Sequence, residues 1–211
     1  SNEGMLTRYL HTIDHATGAT INFKARITAS DTRHPITNSN FLRGSCDFFA
    51  WTHDLDFLRQ NIERMRTALR FALEEFSVQE LKHVSVPWVG HGGRSGLSFS
   101  PDGKKSLRPG LGVGNNYWDL IPFGGHDAIA TMYLYDALQK LFRLEHAIAD
   151  HPEWQIKKSE KTAHLDSLAR EIRTDFQKRF WNTGTGRFNG WIAVEGRSYD
   201  YGFTFVNLEA I

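Results

Sequence analysis

A mainly α-helical fold with a small β or irregular N-terminal region is what this sequence predicts, on three observations. Apolar residues step by three and four along several long segments after residue 51, whereas those before it tend to alternate. The glycine-rich stretch between the stepping segments carries too many large aromatics to be a plain linker. At 211 residues, with 40% hydrophobic and 23% charged, the chain is long enough for one domain with its own core.

Residues 1–50 predict the β-hairpin or irregular entry segment. Leu6, Tyr9 and Ile13, then Ile21, Phe23, Ala25 and Ile27, flank the turn-like Ala16-Thr17-Gly18. Pro35 and the Asn38-Ser39-Asn40 cluster predict a loop after it. Residues 51–211 predict the helical domain. Thr52 is placed to cap its first helix, with Asp54 and Asp56 in the first turn, where the helix dipole favours negative charge. Leu55, Leu58, Ile62, Met65, Leu69, Ala72 and Phe76 then form one apolar stripe.

Residues 82–125 show no sustained period but are crowded with glycine and proline. Trp88, Phe99, Tyr117, Trp118 and Phe123 among them are costly to leave in water, which predicts an ordered loop lining a site. Helices follow over roughly 127–149, with Ala128, Met132, Tyr135, Leu138, Glu145 and Ile148 on the stripe, and over roughly 159–181, with Leu165, Leu168, Ile172, Phe176 and Phe180. Trp181 to Phe188 predicts a turn, then a short strand to about Val194. A last helix starts near Tyr201 and is cut off at Ile211, which predicts a longer polypeptide.

Charge excludes one class of partner. Lys+Arg 25 against Asp+Glu 24 leaves no basic surplus to neutralise phosphates, so no nucleic acid partner is predicted. The sequence contains no run of about 18 apolar residues, so no membrane partner is predicted either. Cys46 is the only cysteine and is predicted to be a small packed residue. His11 and His15 are four apart in a non-helical region, so no metal site is predicted, and no nucleotide fingerprint calls for a cofactor.

The chemistry-bearing stretch is Gly114 to Ala128, where aromatics and carboxylates lie between glycines at the entrance to a long helix. Indole and phenol rings stack on the apolar faces of sugar rings, and a carboxyl group among them can give or take a proton, so carbohydrate is the predicted substrate class. Asp119, between Tyr117 and Trp118 on one side and Leu120 on the other, is the first candidate acid; the alternative is a turn cap or a partner for Arg108. Asp127 either caps the following helix or faces the sugar. Asp200, between Tyr199 and Tyr201, either caps or binds substrate. Trp51, Trp88, Trp118 and Trp191 are the candidate stacking rings, whereas Trp154 and Trp181 are predicted to pack. His126, like His91, sits beside glycine as a hydrogen-bond partner for substrate.

Trp51-Thr52-His53-Asp54-Leu55-Asp56-Phe57-Leu58, Asn116-Tyr117-Trp118-Asp119-Leu120 with Gly124-Gly125-His126-Asp127-Ala128, Trp181-Asn182-Thr183-Gly184-Thr185-Gly186-Arg187-Phe188 and Tyr199-Asp200-Tyr201-Gly202-Phe203 follow one another between helices. Together they resemble the six-hairpin glycosidases, the (α/α)6-barrel superfamily of rhamnosidase-like, glucosidase-like and glycogen-debranching enzymes, over about residues 51–211. The resemblance implies a partial (α/α)6 toroid, the N-terminal portion of a catalytic domain, with the acid role falling to Asp119. It also implies a second carboxylate in the remainder of a longer polypeptide, so that this stretch alone hydrolyses nothing. An oligosaccharide or glycoside is then the substrate. Two other functions fit the same residues: a helical toroid that binds glycans without cutting them, and a sugar isomerase or lyase in which His126 and Tyr117 move the proton.

Overall fold

The computed structural model describes residues 35–89, 94–99, 105–109 and 123–210, with residues 87–89, 94–99 and 105–109 given by backbone alone. It is mainly helical with a small antiparallel sheet. Helix α1 (Thr37–Thr52) and helix α2 (Leu55–Glu75) form the first helical pair, and a short helix, α3 (Val78–Leu81), follows. Strands β1 (Ser85–Val89), β2 (Arg94–Phe99), β3 (Lys105–Pro109) and β4 (Gly124–Asp127) come next. The second pair is α4 (Ala128–Asp150) and α5 (Thr162–Phe180), joined through a 3-10 turn at Pro152–Trp154. Strands β5 (Trp181–Asn182), β6 (Arg187–Phe188), β7 (Trp191–Ile192) and β8 (Ser198–Tyr199) precede the final described helix, α6 (Thr204–Glu209).

The loop expected at Asn38-Ser39-Asn40 is instead the first turn of α1, and that helix runs across the boundary drawn at residue 50. Tertiary contact overrides local preference here: Asn38 and Ser39 are buried, and Asn38 Nδ2 donates to the Ala68 carbonyl on α2 at 2.8 Å. Leu42, Cys46 and Phe49 supply the apolar face, with small Ser39 and Ser45 buried alongside it. Thr52 closes α1 instead of opening α2, its hydroxyl donating to the Phe48 carbonyl at 2.8 Å. Asp54 is the cap of α2, accepting from Phe57 N at 2.9 Å. His53, at φ 54°, makes the sharp connection between the two helices.

The apolar stripe predicted for α2 is buried from Leu58 to Phe76, with Leu55 packed at its edge. Cys46 is buried as expected, and its burial pushes the thiol up to about 12, which makes it unreactive as a nucleophile. Helix α4 is the central one. Leu134, Ala137, Leu138, Leu141 and Leu144 are all buried because α1 covers one side of it and α5 another. Arg43 pairs with Asp136 at 2.6 Å, and Lys140 with Asp47, so equal steps along α1 and α4 match and the two helices run parallel.

The stretch over residues 82–125, expected to be an ordered loop lining a site, carries strands. Sheet order is β1-β4-β7-β8, all antiparallel, while among the described residues β2 pairs with β3 alone and β5 with β6. Gly125 makes this packing possible: at φ +60° its backbone comes so near β7 that a Cβ would stand 2.4 Å from the Ile192 carbonyl oxygen. The sheet lies over an aromatic cluster of Phe123, Phe176, Phe180 and Trp191, all buried, with Phe203 and Phe205 packed against it.

Candidate functional site

Strand β4 leads straight into the N-terminus of α4, and its last two residues are His126 and Asp127. Asp127 resolves to the cap. Its side chain is buried, Oδ1 accepts from Ala130 N at 2.9 Å, and its own N–H donates to the Val84 carbonyl at 3.1 Å. Thr131 locks the corner, its hydroxyl donating to the Asp127 carbonyl at 2.6 Å and accepting from Val84 N at 3.0 Å. A carboxylate held in this way orders the helix start and is not a solvent-facing acid.

His126 has a different environment. It is partly exposed, and its Nδ1 lies 2.8 Å from Nε2 of His83, which is fully buried just before β1. His83 Nδ1 lies 2.9 Å from Asp175 Oδ2 on α5, and the same oxygen accepts from Arg179 Nε at 3.1 Å, one turn further along that helix. Phe180 packs beside His83, its ring edge-on at 6.1 Å. The four side chains therefore form a chain from β4 to α5: His126, His83, Asp175, Arg179. Facing nitrogens at 2.8 Å leave no room for an ion between the rings, since a metal needs about 2.0 to 2.1 Å to each.

Burial and the Arg179 charge hold His83 well below the usual histidine range, at about 4, although Asp175 pulls the other way. The same two influences lower His126. Both rings are thus neutral at pH 7. An unfolded histidine protonates near 6.5, so between that pH and about 4 the unfolded chain binds a proton that folded His83 refuses. Stability is fully present above pH 6.5 and is expected to fall by about 3 kcal/mol as pH drops through this window. Urea unfolding at pH 7 and at pH 4.5 measures it: His83→Phe should flatten the difference, and an equal loss in variant and wild type would refute the assignment.

The remaining candidates separate. Trp191 is buried, with Tyr199 stacked on its ring at 4.5 Å and Phe123 tilted against it at 4.8 Å, so neither face is open to a sugar. It is a core residue, and the exposed ring beside it is Tyr201, 66% accessible and 5.9 Å away. Asp200 is also structural. Its carboxylate accepts from Thr185, Asn182 and Gly202 N and pairs with Arg187, tying the β5–β6 turn to the strand end. Burial pushes its pKa up, but those bonds outweigh it and the net shift is downward, so Asp200 stays ionised.

Trp51 is exposed but far off. One turn beyond Asp47, it lies level with residue 144, roughly 24 Å along α4 from Ala128 at 1.5 Å per residue. Tyr117, Trp118 and Asp119 lie outside the described residues, as does the side chain of Trp88. His83 and Asp175 were missed by sequence reasoning. One faint signal existed, since Asp175 sits beside Phe176 on the edge of the α5 stripe, where a carboxylate needs a partner.

No known family model matches this chain, and no curated protein is significantly similar to it.

Proposed function

We propose that the chain is part of the catalytic domain of a glycoside hydrolase of the helical-hairpin toroid type, with Asp119 as the proton donor. Two successive helical pairs whose first helices, α1 and α4, run side by side and parallel are what repeated hairpins of such a toroid require. The observation that carries the reading is this parallel packing of α1 against α4. Phe123 is completely buried among Trp191, Phe203 and Phe205, and the next three residues lead to His126.

A second reading, a sugar isomerase or lyase, is favoured by the His83 and His126 pair, because a neutral imidazole at pH 7 is suited to taking a proton from a sugar. A panel of aryl glycosides offered to the full-length protein separates the two. Release of the phenol supports the hydrolase. Exchange of sugar carbon-bound hydrogen with heavy water, without phenol release, supports the isomerase or lyase. Glycan binding with neither reaction overturns both and leaves a binding toroid.

A further inference from the structure

We propose that His83 and Asp175 hold His126 in the Nδ1–H tautomer, so that His126 Nε2 is presented as a proton acceptor for a hydroxyl group of the ligand. The ligand part rests on the carbohydrate reading; the tautomer does not. The polarity follows from the ends of the chain of bonds. Asp175 is a carboxylate ion-paired with Arg179, and so offers only lone pairs to the His83 Nδ1 that faces it at 2.9 Å. His83 must therefore carry its proton on Nδ1. A neutral ring has one such proton, so His83 Nε2 is a bare lone pair, and His126 Nδ1, 2.8 Å away, must be the donor to it. His126 then has its own lone pair on Nε2, for which no hydrogen-bond partner is present among the described residues.

The reverse polarity, with the His83 proton on Nε2, would set a bare Nδ1 lone pair against the Asp175 carboxylate at 2.9 Å, two acceptors with no proton between them. Double protonation of His83 is opposed by its burial and by the Arg179 charge, the same causes that lower its pKa. Charge at this site comes from Asp175 and Arg179 on α5 and from Asp127 beside His126 on the chain, while His83 is the neutral link between them. When a ligand hydroxyl gives its proton to Nε2, the O–H bond breaks, the N–H bond forms and the electron pair stays on the hydroxyl oxygen. Positive charge then appears on His126, and its Nδ1–H bond to His83, polarised by Asp175, strengthens. His83 and Asp175 are positioning residues for that transfer.

Long-range nitrogen–proton correlation spectra of the full chain labelled with 15N-histidine read the tautomer directly. At pH 7 the wild type should show His126 with an unprotonated Nε2 and a protonated Nδ1. Asp175→Leu, which removes the terminal acceptor, should turn this single form into a mixture while the rest of the spectrum stays folded. A wild-type His126 carrying its proton on Nε2, or averaging between tautomers, overturns the proposal whether or not the variant folds. An unchanged tautomer in a folded Asp175→Leu also overturns it. If the tautomer is as expected and every glycoside and free sugar is left untouched, the carbohydrate reading falls and the relay stands.

Discussion

Asp119→Asn is expected to lower kcat on glycosides with poor leaving groups by about 10² to 10⁴-fold while leaving KM close to its wild-type value. Asparagine keeps the shape and most of the hydrogen-bonding capacity of aspartate, so substrate still binds, but it has no proton to give to the departing oxygen. The diagnostic is the leaving group. A dinitrophenol leaves as a stable anion without protonation, so on its glycosides the loss should shrink towards nothing, whereas on alkyl glycosides it should be complete. Equal loss on both classes would assign Asp119 to another step, and unchanged turnover would remove it from the reaction. His126→Asn provides the contrast: under the hydrolase reading its loss is independent of leaving group, because the ring then contacts the sugar and not the glycosidic oxygen.

The long helices were legible in the sequence because one physical cause, a single covered face, dominates each of them. Leu58 through Ala72 in α2, with Phe76 at its C-terminal cap, and Leu165 through Phe180 in α5 repeat at helical spacing and are buried as that spacing requires. Helix α1 was not legible, since Asn38, Ser39 and Ser45 break its stripe, and the bond Asn38 donates to α2 forms only once the two helices have packed. The four-stranded sheet was hidden for another reason. Its strands are two to five residues long and, β7 with β8 apart, pair across wide sequence gaps, so periodicity has too few repeats to register.

The candidate site divides along the same line. His126 was named because glycine beside a polar residue at a helix entrance is a local signal. Its partners were not, because His83, Asp175 and Arg179 meet only after α5 has folded back along α4. Trp191 and Asp200 were overvalued for the converse reason. Aromatic and acidic residues next to glycine mark a tight, well-packed turn as readily as a binding surface, and here Tyr199 and Thr185 have already claimed them.

Arg66→Ala is expected to destabilise the fold by about 3 to 5 kcal/mol, because it strands a charge that cannot reach water. Glu145 stands on the apolar stripe of α4 and is completely buried. Arg66 on α2 meets it with two bonds, Nε to Oε1 at 2.7 Å and Nη2 to Oε2 at 2.8 Å, and Ser159 N donates to Oε2 at 3.0 Å. The guanidinium also donates to the Lys157 carbonyl at 2.8 Å, so one ion pair fastens both helical pairs and the segment joining α4 to α5. Its worth lies in what happens when half of it is lost. Arg66→Met with Glu145→Leu removes both charges and keeps the volume, so the double variant should lie much nearer wild type than Arg66→Ala does. The exposed Lys157 and Glu160 pair, 3.8 Å apart, is the control, and Glu160→Ala should leave the urea midpoint unchanged within error. If Arg66→Ala proves no more harmful than that control, water reaches Glu145, and the junction between the two helical pairs is looser than the packing around it requires.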